Sequence, residues 1–287
     1  MKNILIATDL TVNSDRALER AIRLAKGTGA TLHIMHVAPL YQLSGKTKET
    51  AALKQETKEL IRAYLAGYKG ANSVQTDIHV VESGNAFAEI IKASQETEAD
   101  LIVMGVHNKV GFKDLFVGTT IERVIRKGLK PVLMVVDKPK NGYKSVVVGC
   151  DFSESSKSAF NFALQLASGG VIHLVHSYDF SETTTGHRIE LYEGNVIKNI
   201  EVAMMQKFMK ESDQMLKDHN FPAKNFSHKT VKGAPEQALA AEVKKTKAGL
   251  LVMGVHSRSG FLSSKLGGVT EAMLANPPCD VLVAKGQ

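Results

Sequence analysis

Aspartate, glycine and hydroxyl residues recur in this chain at spacings suited to holding an anion. Asp9 follows a short apolar run, and further on Met104-Gly105 is followed by Asn108 and then by the pair Gly118-Thr119. Glycine lets the backbone approach a phosphate closely, and a helix starting at such a pair presents unpaired N–H donors and a favourable dipole. Thr119 adds a hydroxyl, and Lys109, Lys113 and Arg123 can supplement the field around an anion. The set occurs twice. Asp151 stands 142 residues beyond Asp9 and Gly254 stands 149 beyond Gly105, with Ser257 and the pair Gly267-Gly268 at the matching offsets. The plainer reading of each glycine loop is a tight connection between a strand and a helix.

Histidines offer a second chemistry. His36 ends one apolar run and His107 follows Met104-Gly105, so that with Asp9 they form a His₂Asp set able to hold zinc with an open position; His176, Asp151 and His256 repeat it. Zinc is the lesser reading, with His36 and His107 as its ligands. His33 and His173 lie at odd spacing from these and point to the opposite face of their strands. No nucleophile, base and orienting group stand together; Ser153 and Ser155 read as turn and helix-cap residues, and no lysine of the Walker type follows either glycine loop.

The elements that would position these residues follow from the hydrophobic pattern. Strands are expected at residues 3–7, 31–37, 77–81, 101–105 and 132–136, with helices over 15–27, 49–65 and 85–97. Ser14 is placed to cap the first helix, and Leu53, Leu60 and Ile61 to face inward from the second. After the charged, turn-forming residues 137–142 the plan restarts, with strands at 145–149, 171–177, 250–254 and 281–284. A Met- and Phe-rich helix around Met204, Met205, Phe208 and Met209 is read as core packing. Alternating strands and helices imply right-handed βαβ units. The fold class is therefore α/β: two tandem Rossmann-like domains, residues 1–138 and 143–287, each an open parallel sheet with helices on both faces and ligands at the carboxyl ends of its strands.

Composition narrows the partners. The 287 residues carry 36 Lys and Arg against 29 Asp and Glu, a net charge of +7 that favours anionic ligands. Aromatics are only 6% and no arginine-rich run with interleaved aromatics occurs, which argues against a nucleic-acid surface. Residues 1–7 read as a strand and not as a signal peptide, no apolar run approaches membrane-spanning length, and two cysteines make no disulfide framework. A cytoplasmic location is expected.

The run from Met104-Gly105 through Asn108 to Gly118-Thr119 resembles the glycine signature of the universal stress protein family, Gly-x-x-Gly, nine residues, then Gly-Ser/Thr. The opening Ile-Ala-Thr-Asp-Leu-Thr, the His36-Val37 strand end and the terminal Pro131-Val-Leu-Met-Val-Val extend the likeness over nearly the whole chain. The resemblance implies a tandem protein of that family, with five parallel strands per domain in the order 3-2-1-4-5. It also implies ATP, with Mg²⁺ as its companion ion, bound with Asp9 and Val37 near adenine and ribose and with Met104, Gly105, Asn108, Gly118 and Thr119 around the phosphates. Asp151, Gly254, Ser257, Gly267 and Gly268 correspond in the second copy, where Ser177 replaces Val37. The first copy stays nearer the pattern, since asparagine tolerates the positive φ that a glycine position requires. The family further implies pairing of the two fifth strands as an intramolecular pseudo-dimer, with further homodimerisation open, and a stress-response role as a nucleotide-binding regulator facing an unidentified protein partner. A weak ATPase, and a scaffold for zinc or a non-ATP ligand, are the alternatives.

Overall fold

The computed structural model describes all residues except 12–13, 40–46, 107–117, 168, 179–186, 256–265 and 287, with backbone alone for 47–50, 187–198 and 201. These residues form two compact units. In the first, β1 (Asn3–Thr8) leads through α1 (Asp15–Thr28) to β2 (Thr31–Ala38), then through α2 (Thr47–Ala66) to β3 (Thr76–Glu82), α3 (Ala86–Glu96), β4 (Leu101–Gly105), α4 (Thr120–Lys127) and β5 (Val132–Val135). β1 lies between β2 and β4 in parallel register, β3 flanks β2 and β5 flanks β4, so the order is 3-2-1-4-5. Ile4, Leu5 and Ile6 of β1 and Leu101, Ile102 and Val103 of β4 have no solvent exposure. Burial on both faces is what near-continuous apolar strands require, and α1 and α3, which both contact β1, supply cover.

The second unit repeats the plan with β6 (Ser145–Cys150), α5 (Glu154–Leu166), β7 (Val171–Tyr178), α6 (His187–Asp218), β8 (Phe226–Lys232), α7 (Pro235–Thr246), β9 (Leu250–Gly254) and α8 (Gly268–Ala275). β6 pairs parallel with both β7 and β9, and β7 with β8. The last strand is β10 (Asp280–Ala284). It pairs antiparallel with β5, Leu282 opposite Leu133, and Leu274–Val283 cluster with the first unit. That unit thus gains an antiparallel strand beside β5.

Two readings of inward-facing residues are corrected. Leu60 is 63% exposed and Leu53 39%, while Ile61 is buried at 2%. In a 3.6-residue helix Leu65 falls in line with Ile61 and Leu60 lies a quarter-turn away, so the stripe carries only the former pair inward. In α6, Met205 and Phe208 are core, but Met204 is 41% exposed for the same reason. Among the described residues no helix is long and apolar enough to cross a membrane.

Candidate functional site

At the carboxyl end of the first strand of each unit the chain turns sharply. Leu10 and Phe152 both adopt left-handed backbone, with φ of 61° and 65°, which costs a residue bearing Cβ about 1–2 kcal/mol. The preceding aspartate secures the turn. Asp9 Oδ1 accepts from the Thr11 N–H at 3.0 Å and the Thr11 hydroxyl at 2.8 Å. Asp151 Oδ1 accepts from the Ser153 N–H at 3.1 Å, the Ser153 hydroxyl at 2.5 Å and the Ser156 hydroxyl. Ser153 also caps α5, accepting from the Ser156 N–H at 3.2 Å. Ser14 does not do this for α1, contrary to expectation. Its hydroxyl bonds the Thr8 hydroxyl and donates to the Thr11 carbonyl, both at 2.9 Å. At the offset of 142 that relates Asp9 to Asp151, Ser14 corresponds to Ser156, whose hydroxyl bonds Asp151, and the capping Ser153 corresponds to Thr11.

The strand-two histidines are used the same way in both units. His36 Nδ1 lies 3.0 Å from the Thr8 carbonyl and His176 Nδ1 2.8 Å from the Cys150 carbonyl. A carbonyl only accepts, so each Nδ1 carries its proton and ties the second strand to the end of the first. His36 belongs to no group of three metal-ligand atoms among the described residues. Its expected companion His107 lies outside the described residues, as do Asn108, Ser257 and His256.

At the start of α4 the threonine serves the helix. Thr119 Oγ1 accepts from the Glu122 N–H at 3.2 Å, and Glu122 Oε2 accepts from the Gly118 N–H at 3.3 Å. This is a capping box displaced by one residue, and it already sets a carboxylate at the helix amino terminus. Glu122 is held in turn by Arg126 Nε at 2.5 Å. Gly118 has φ 84°, which favours glycine whatever surrounds it. Gly254 is glycine for a different reason. A Cβ there would lie 2.6 Å from Ser155 Cβ and 2.7 Å from the Ser155 carbonyl carbon, so α5 seats on β9 only if the side chain is absent.

A cavity opens at each carboxyl edge. In the first unit it is about 120 Å³ and is lined by Asp9, Val37, Met104 and Gly105, with Met35 and Ile90 among its apolar walls. Thr120 lines it, whereas Gly118 and Thr119 do not. In the second unit the cavity is about 290 Å³ and is lined by Asp151, Ser177, Gly254, Gly267 and Gly268, with His176 beside them. The walls from α3 and α7 were not foreseen in the sequence. Ala86 and Ile90 correspond to Pro235 and Leu239 at the same offset of 149 that separates Gly105 from Gly254, so carrying the repeat offset along the chain identifies them. The donor set fits a nucleotide in outline: apolar walls for a base, a carboxylate at the rim, and in the second unit glycines at a helix start.

The comparisons with known proteins agree with this architecture. Universal stress protein E of Escherichia coli (strain K12) is 24% identical, over 99% of this chain and 94% of its own length. A universal stress protein of Methanocaldococcus jannaschii is 33% identical over 48% of this chain and 84% of its own. The crystal structure of a universal stress protein from Archaeoglobus fulgidus DSM 4304 superposes with a TM-score of 0.70 at 20% identity, covering 99% of this chain and 98% of that one, a likeness of fold. The model of the universal stress protein family matches residues 1–136 and again 142–285. With both halves matched and nearly every residue covered, the chain belongs to the universal stress protein family and carries two of its domains.

Proposed function

We propose that this protein is a stress-response regulator that binds ATP or a closely related nucleotide, and that the second unit's pocket is its main site. The cavity there carries the reading. About 290 Å³ is bounded at once by the Asp151 carboxylate, the Ser177 strand end, Gly254 and the helix-start pair Gly267-Gly268, close to the lower limit of about 300 Å³ for small-molecule sites. The glycines leave the amino end of α8 open to a phosphate, and Val175, Leu239 and Met253 offer an apolar wall for a base. The first unit has the same plan in less space, and its Gly118 N–H is already taken by the Glu122 carboxylate. Preference therefore passes to the second unit, although the first keeps more of the glycine signature. Bound nucleotide would supply a triphosphate whose charge reorganises the adjoining surface, a regulatory and not a catalytic use.

Calorimetric titration of the full chain with ATP and Mg²⁺ tests the reading. One site per chain is expected, abolished in Gly268→Val, since Gly268 lines the cavity and a Cβ there meets nothing within 4 Å and needs no left-handed backbone. Retention of binding in Gly118→Val assigns the second unit. Absence of binding to the unmodified protein, or binding indifferent to both changes, overturns the proposal; turnover of ATP that is lost in Asp151→Ala would favour a weak ATPase instead.

A further inference from the structure

Away from both pockets, β2 and β3 bring three metal-ligand side chains together. Register sets His33 opposite Asp77 and Met35 opposite His79. Alternate residues share a face, so His33, Asp77 and His79 stand on the side from which Met35 lines the first unit's cavity, in the amino-terminal half of the strands. His33 Nδ1 is 3.4 Å from His79 Nε2 and 3.7 Å from Asp77 Oδ2, and His79 Nε2 is 3.1 Å from that same oxygen. Zinc bonded tetrahedrally to nitrogen and oxygen at about 2.0–2.1 Å needs ligand atoms about 3.3 Å apart. The three separations bracket that spacing.

The surroundings favour the ligating forms. His33 Nε2 lies 3.4 Å from Asn3 Oδ1; an amide oxygen accepts, which places the proton on Nε2 and turns the Nδ1 lone pair toward the cluster, the outer bond expected of a metal-bound imidazole. The His33 side chain is 12% exposed and that of Asp77 58%, so one side of the cluster is held by the fold and the other is open to water as a fourth ligand. The second unit lacks the set. His173 faces Ser227 at 2.9 Å, and Lys229, in the place of His79, pairs its ammonium with Glu242.

We propose that His33, Asp77 and His79 form a divalent metal site in the first unit, selective for zinc-class ions over Mg²⁺ because two of its three donors are imidazole nitrogens. An ion there fastens the edge strand β3 to β2.

The test is titration of the full chain with Co²⁺, read by its visible ligand-field absorption, and with Zn²⁺ against a chromophoric chelator. One ion per chain is expected, with affinity reduced at least about tenfold in Asp77→Asn, in His79→Gln and in the outer-bond variant Asn3→Ala, and unchanged in His173→Gln. Asp77 and His79 are exposed enough to be replaced without loss of the fold, which circular dichroism verifies. No binding at one equivalent of metal, binding that survives the Asp77→Asn and His79→Gln pair, or equal loss in His173→Gln overturns the proposal.

Discussion

Arg20 and Asp280 form a buried ion pair, with a guanidinium nitrogen 3.3 Å from a carboxylate oxygen and side chains only 7% and 1% exposed. Asp280 Oδ1 also accepts from the N–H groups of Val136 at 2.9 Å and Asp137 at 3.2 Å, and Arg20 Nη1 donates to the Asn141 carbonyl at 2.9 Å. One carboxylate therefore secures α1, the end of β5 and the segment after it. Removing it strands a buried cation, at a cost of about 3–5 kcal/mol. Asp280→Ala is expected to lower the urea midpoint accordingly with an unchanged slope; a loss below about 0.5 kcal/mol, the range of ordinary surface changes, would show that the pair is dispensable.

Gly118 and Gly268 should respond oppositely to the same substitution. Gly118 has φ 84° and open space around it, so its valine variant suffers a purely conformational penalty of about 1–3 kcal/mol. Gly268 has no such φ and a Cβ there meets nothing, so its valine variant is expected to melt near the unmodified protein while losing nucleotide. Thermal melts alongside calorimetry separate the two effects.

Gly254→Ala tests a steric requirement. The added methyl falls 2.6 Å from Ser155 Cβ, and forcing α5 off β9 is expected to cost about 1–3 kcal/mol. Ser155→Gly in the same chain should recover part of the loss, and additive effects would refute direct contact between the two positions.

Acid stability carries a further sign. Burial holds the His173 imidazole below its ordinary value of 6.5; Glu242 opposes this, and Lys229 and Lys245 reinforce it. In the window below 6.5 the unfolded chain binds more protons at this residue than the folded one, so its contribution is complete above that pH and declines as pH falls through the window. The melting temperature is expected to fall between about pH 7.5 and pH 5.5 by more in the unmodified protein than in His173→Gln. Parallel slopes would assign the acid sensitivity elsewhere.

Much of this was legible in the residues. The run 101–105 is a strand with those bounds, Gly29 ends α1 in left-handed backbone, and the paired offsets foretell the second copy of each turn. Apolar period and turn chemistry are local, so they can be read locally. What escaped reading depends on which of several near partners a side chain takes, or on a single position within a helical turn. Ser14 bonds the Thr8 hydroxyl instead of capping α1, Thr119 spends its acceptor on Glu122, and Leu60 misses the buried stripe by one position. His33 could be placed on its strand face and β3 beside β2, yet neither strand announces the register that sets Asp77 opposite His33 and His79 two residues further on.

The antiparallel seating of β10 on β5 also bears on how the chain is made. Val136 and Asp280, joined at that seam, are 144 residues apart, and at about 5–20 residues per second synthesis takes roughly 7–29 s to pass from one to the other. Throughout that interval the nascent first unit carries β5 as a bare apolar edge, the kind of strand that recruits neighbours. Its exposure to mispairing on the polysome is thus set by translation speed, and slow codons anywhere in the second half of the message would prolong it.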